Sequence, residues 1–219
     1  MKKPKFPKKK REPIIFEGIQ YDSDFEVLFA QWVNEAISHG YIEESVYHPP
    51  SFVLCNGTAR QYEVPGKRKS LVKSHALFGK IVYTADWWIW WTQKAIDRGL
   101  VGNLEGTTHM NGYALMYQLS EDGRPYTVID VKPPKNAGGN NASYRDFGIK
   151  APLIYDMFGI YVQSVVPIDA KKPDECFFSR CWAPKCYLER DRKDKKGYLM
   201  SYCKNINIED YEKRYGGSR

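Results

Sequence analysis

Tyr126-Thr127-Val128-Ile129-Asp130-Val131-Lys132-Pro133 is the stretch from which the rest of the chain is read. Tyr126, Val128, Ile129 and Val131 favour a strand, and Pro133 and Pro134 end its ladder. A buried strand ordinarily avoids charge, yet this one closes on Asp-x-Lys. Side chains alternate along a strand, so Asp130 and Lys132 share a face two residues apart. A carboxylate beside an amine at a strand end can hold a metal ion and orient a water, which is what phosphodiester hydrolysis requires. The plainer reading is an ion pair near a strand terminus, and the neighbouring sequence has to choose between them.

Working outward, residues 113–119 and 124–132 read as a hairpin turned at Asp122-Gly123. Residues 133–146 are rich in Gly and Asn and read as an exposed loop beside the Asp130/Lys132 end. A helix over 149–158, with Lys150 in its first turn as a further candidate for a nucleic-acid contact, and a buried strand over 160–166 follow. Upstream, residues 75–91 read as one long buried strand ending in Trp87-Trp88-Ile89-Trp90-Trp91. Asp86 lies inside it, a costly position for a carboxylate unless it is paired or binds a metal. The tryptophans read as core rather than as a platform for stacking bases. Residues 92–99 suggest a short helix and 101–112 a loop. A strand over 46–56 is interrupted by Pro49 and Pro50, and the polar stretch 57–74, a loop or hairpin with Lys67, Arg68 and Lys69, could meet a phosphate backbone. Farther back, Phe25, Leu28, Phe29, Trp32, Val33 and Ala36 recur at helical spacing, and Gly40 stops the helix. Ser23 and Glu26 fit a capping box, a structural role for Glu26, which also sits at the edge of the apolar stripe where it can face a site.

Composition sets the bounds. The chain has 219 residues, 42% apolar and 15% aromatic, enough for one domain with an appendage and a sizeable core. No apolar run is long enough for a membrane span. The formal charge is +7, and Lys2, Lys3, Lys5, Lys8, Lys9, Lys10 and Arg11 account for all of it. That arm, broken by Pro4 and Pro7, reads as a disordered segment that seeks phosphate or simply aids solubility. Residues 1–13 are thus expected to be a basic arm, 14–167 the core, and 168–219 a C-terminal extension. The five cysteines are an odd number with no sign of secretion, which points to reduced thiols. Cys176, Cys181, Cys186 and Cys203 are spaced loosely for zinc and have no histidine nearby, so a structural zinc is the weaker reading and buried thiols the stronger.

Glu26 on a helix, Asp86, and Asp130-x-Lys132 make an ordered set. Asp86 and Asp130, with the backbone carbonyl of Val131, offer hard oxygens suited to Mg²⁺ or Mn²⁺. Glu26 can complete that shell or hold a second ion, and Lys132 can position a water or stabilise charge on the phosphate. In order and element type, Tyr21-Asp-Ser-Asp-Phe-Glu26, Tyr83-Thr-Ala-Asp86 and Ile129-Asp130-Val131-Lys132-Pro133 resemble the PD-(D/E)xK nuclease superfamily. Within it they resemble the resolvase-like endonucleases of bacteriophages, similar to phage endonuclease I. The resemblance covers about residues 16–167, and the tail 177–211 looks like the terminal region of phage proteins with this nuclease core. It implies an α/β fold with a central mixed β-sheet flanked by helices, a restriction-endonuclease-like core. It implies metal ligation by Asp86 and Asp130, a metal role for Glu26 and a catalytic Lys132, with Asp97 the alternative to Asp86. Ala85 stands where the superfamily pattern has proline. The implied function is Mg²⁺-dependent cleavage of DNA, branched DNA in particular, by a homodimer in the cytoplasm of a host cell. Two other readings stand beside it. One is a nucleic-acid-binding accessory protein that keeps the fold without catalysis. The other is a partner-binding protein whose tryptophans form an exposed interface.

Overall fold

The computed structural model describes residues 13–65, 69–106, 112–135, 142–188 and 205–215. The chain begins with β1 (Ile14–Phe16), β2 (Ile19–Tyr21), α1 (Asp24–Ser38), β3 (Ile42–Tyr47), β4 (Phe52–Cys55), β5 (Thr58–Val64), β6 (Leu71–Phe78) and β7 (Ile81–Tyr83). It continues with β8 (Trp87–Trp91), α2 (Gln93–Asp97), β9 (Val101–Asn103), β10 (Leu115–Leu119), β11 (Pro125–Val131), α3 (Ala142–Phe158) and β12 (Val162–Val165). Two short helices, α4 (Phe177–Arg180) and α5 (Lys185–Leu188), and α6 (Ile208–Tyr215) complete it. The basic arm, Lys67, Arg68 and Cys203 lie outside the described residues.

A mixed sheet of six strands is built on β11. One edge of β11 pairs antiparallel with β8, which pairs antiparallel with β3. Its other edge is shared: Pro125 and Tyr126 close the hairpin with β10, while Val128–Val131 runs parallel to β12. β9 pairs parallel with β10. Alternation sorts the side chains of the two central strands between two apolar clusters. Trp87, Ile89, Trp91, Ile129 and Val131 join α1, and Tyr126 and Val128 join Ile154 of α3. The protein is therefore α/β, with a central mixed sheet flanked by helices.

The expected hairpin around Asp122-Gly123 and the strand 160–166 are present, the latter shortened to Val162–Val165. The long buried strand expected over 75–91 is not. It divides into the exposed β6, then β7, then a bend at Asp86, then β8. Chain continuity in aromatic residues concealed the break. The strand expected over 46–56 likewise splits at His48–Ser51, where Pro49 and Pro50 cannot donate to a ladder. α3 starts earlier than the apolar pattern suggested and buries only Ile154, which is why its first turns carry no periodic signal.

Trp32, Trp87, Trp91 and Trp182 are fully buried, so the reading of an exposed tryptophan interface fails for these four; Trp88 and Trp90 are half-buried. The residues after 167 are woven into the same core as α1. Trp32 packs on Trp182 and Phe177 with ring centroids 5.0 and 4.8 Å apart, and Tyr41 packs on Trp182 and Tyr211. The C-terminal extension thus supplies one wall of the main cluster.

Candidate active site

α1 is launched by Ser23, whose hydroxyl accepts from the Glu26 amide at 3.2 Å. Glu26 returns the contact: its carboxylate accepts from the Ser23 hydroxyl at 2.8 Å and the Asp22 amide at 3.1 Å. The capping box is real, yet it leaves capacity on a carboxylate that is only 6% exposed. Tyr47, at the end of β3, donates its hydroxyl to Glu26 Oε2 at 2.7 Å. Burial and then this bond to a carboxylate push the Tyr47 hydroxyl well above its ordinary pKa, so it remains a proton donor.

Asp86 is fixed from both sides. Its amide donates to the Ile129 carbonyl at 3.0 Å, its carbonyl accepts from the His48 amide at 2.8 Å, and its Oδ2 accepts from the Val131 amide at 2.5 Å. The carboxylate is thereby clamped beside the last residues of β11. Burial, followed by the charge of Asp130, raises its pKa to about 8, with Glu26 pushing the same way. The Val131 amide and the charge of Lys132 oppose the shift. Asp130, Glu26 and Lys132 are thus each near enough to Asp86 for their charges to alter its affinity for a proton.

Asp130 and Lys132 share a face as alternation requires and form an ion pair of 2.5 Å, with side chains 7% and 12% exposed. Tyr83, the last residue of β7, donates to the other carboxylate oxygen of Asp130 at 2.8 Å. Burial and the charge of Asp130 push the Tyr83 hydroxyl up as well. The Lys132 ammonium also lies 5.6 Å from the centre of the Phe147 ring on α3.

Asp97, the alternative to Asp86, is exposed on α2 and its carboxylate accepts from the Gln93 amide nitrogen at 2.8 Å. Lys150 is half-buried within α3 rather than in its first turn, and Lys69 is exposed just before β6. Among the described cysteines no shared ligand set forms. Cys176 donates to the Pro173 carbonyl and Cys181 to that of Phe177, burial pushing the Cys181 thiol up, while Cys186 meets Gln31.

Sequence reasoning missed Tyr47, Tyr83, Asp22 and His48. Among the described residues, Asp22, Glu26 and His48 are the group whose ligand atoms all lie within 4.8 Å of one another; Asp86 and Asp130 stand beside that trio rather than in it. His48 has φ 50, an uncommon conformation for a side chain with a Cβ, and its ring stacks on Tyr47 at 3.9 Å. The available signal was the pair Pro49-Pro50, which cannot donate to a ladder and so ends β3 next to His48. The donors gathered here are mostly hard oxygens, a set that fits Mg²⁺ or Mn²⁺ better than a soft metal. No family model, no curated protein and no solved structure matches the chain.

Proposed function

We propose that this protein is a divalent-metal-dependent endonuclease of restriction-endonuclease-like fold that hydrolyses DNA phosphodiester bonds, with branched DNA as the preferred form. One observation carries the reading: a strand-borne Asp130–Lys132 pair lies against a carboxylate, Asp86, whose burial and acidic neighbours make it unfavourable as an isolated anion. A protein that needed only stability would not place an acid there. Asp86 and Asp130, with the Val131 carbonyl, would hold Mg²⁺ or Mn²⁺, and Glu26 with Asp22 and His48 would hold a second ion. When bound, such an ion would supply Lewis acidity at the phosphate and lower the pKa of a water. The protein's own groups do the rest. Tyr83 fixes the Asp130 carboxylate, Tyr47 fixes Glu26, and the Lys132 ammonium balances charge gathering on the phosphate oxygens. Such an enzyme would act in the cytoplasm of an infected cell. A dimer matching the two-fold symmetry of a junction would draw on the exposed apolar side chains of α3, among them Ile149, Leu153 and Met157.

Purified protein is expected to nick or resolve a synthetic four-way junction with Mg²⁺ or Mn²⁺, and Asp130→Ala and Lys132→Ala to remove that activity. A readout independent of turnover is thermal: Mg²⁺ should raise the melting temperature of the wild type by more than that of Asp130→Ala, which keeps only the Asp22/Glu26/His48 site. Failure to cut branched, single-stranded and duplex DNA with either ion would sink the reading. One feature favours the accessory-protein alternative: Asp130 is already satisfied by Lys132 and Tyr83. That alternative is the reading left if DNA binds with no metal dependence and no cleavage.

Among the described residues no helix is long and apolar enough to cross a membrane.

A further inference from the structure

Between Phe52 and Tyr83 the chain leaves the sheet and returns to it as one long antiparallel excursion. Its base is β4 paired with β7, and its outer part is β5 paired with β6. The base is anchored, with Phe52 packing on Trp88 and on Phe158. The two parts join where Gly57, at φ +80, passes Gly79 so closely that a Cβ would lie 3.0 Å from the Gly79 carbonyl carbon. Beyond that pinch every described residue is exposed except Val64, which is partly so, and among the described residues no other strand pairs with the ribbon. An isolated two-stranded ribbon buries too little to be retained for its own stability.

The register sorts its side chains by charge. Directly opposed residues share a face, so Arg60/His75, Tyr62/Lys73 and Val64/Leu71 form one face. Ala59/Ala76, Gln61/Ser74 and Glu63/Val72 form the other. The basic side chains Arg60 and Lys73, the one histidine and the tyrosine all fall on the first; the one acid falls on the second. Along residues 57–80 six basic residues (Arg60, Lys67, Arg68, Lys69, Lys73, Lys80) stand against Glu63 alone. The excursion also begins and ends at the acid cluster. His48 precedes it by four residues, Tyr83 is its last residue, and Asp86 lies three beyond.

We infer that the β5–β6 ribbon is a duplex-DNA grip that lies in the major groove beside the scissile phosphate, with its Arg60/Tyr62/Lys73/His75 face against the nucleic acid. The choice of DNA rests on the function proposed above. A two-stranded ribbon fits a groove about 12 Å wide, and seven residues at about 3.3 Å each reach about 20 Å along it. The cationic face is complementary to phosphates, while two copies brought together by that face would repel.

The test is the affinity of the full chain for a fluorescent duplex in Ca²⁺ or EDTA, measured by anisotropy across a salt series. The double variant Arg60→Ala/Lys73→Ala should bind about tenfold more weakly at moderate salt, and its log–log salt slope should fall by about 2. Gln61→Ala/Ser74→Ala, on the opposite face, should match the wild type in both. An unchanged affinity and slope in Arg60→Ala/Lys73→Ala would overturn the inference. It would also fall if Leu71→Ser/Leu77→Ser turned a sedimenting dimer into a monomer while leaving DNA affinity intact, since the ribbon would then be a contact between copies. Asp130→Ala separates the two readings. If it binds normally while the wild type cuts nothing, the cleavage reading fails and the ribbon stands; if ribbon variants bind and cut normally, the reverse holds.

Discussion

At the scale of single residues, the unfavourable position of Asp86 is the feature with the most consequences. Its pKa is raised, to about 8, by burial first and Asp130 second. For an acid this sign is destabilising. Below the ordinary carboxylate range both folded and unfolded states hold the proton. As pH rises from about 4, the unfolded chain releases it and the folded protein does not, so stability falls until the folded group also ionises near pH 8. Metal-free wild type should therefore lose melting temperature between those limits. Asp86→Asn keeps an acceptor for the Val131 amide and removes the charge. It should flatten that slope and raise the melting temperature at neutral pH by on the order of 5 °C, while abolishing cleavage. A variant less stable than the wild type at pH 7 would mean that Asp86 serves the fold. Tyr83→Phe leaves one Asp130 oxygen without its donor and should cost about 1–2 kcal/mol, read by urea denaturation.

At the scale of elements, α1 serves the core and the site through one turn. Ser23→Ala removes both the cap on the Glu26 amide and a donor to the Glu26 carboxylate. The expected loss is about 1 kcal/mol by chemical denaturation. Activity should suffer more than that loss implies, because Glu26 would keep only Tyr47 and the Asp22 amide as partners. β11 plays the corresponding part on the other side. Its early residues pair with β10 and its later ones with β12, and the change of partner comes between Tyr126 and Val128. The hairpin and Glu26's capping role were legible in the sequence because they depend on neighbours a few residues apart. The break at Asp86 was not, because it is made by Ile129 and Val131, more than forty residues away.

For the whole molecule, the residues after 167 decide whether the core closes. Phe177, Phe178, Trp182 and Tyr211 cover Phe29, Trp32 and Tyr41, which would otherwise face water. Trp182→Ala should cost about 3–5 kcal/mol, and a chain ending at residue 167 should not yield a cooperative unfolding transition by heat or denaturant. Retention of such a transition would show that residues 14–167 form a self-sufficient core and the remainder an ornament.

What the sequence determined by itself is local. It set the hairpin about Asp122-Gly123, the capped helix, the shared face of Asp130 and Lys132, and the concentration of charge in the N-terminal arm, all of which follow from spacing and alternation. Only the tertiary structure decided that Asp86 lies against β11, that Tyr47 and Tyr83 hold the acids, that residues 58–78 stand clear of the sheet, and that the tail belongs to the core. Those outcomes join segments tens to more than a hundred residues apart. Burial and the long-range pairing of charges and strands select them, and no short window of sequence contains both partners.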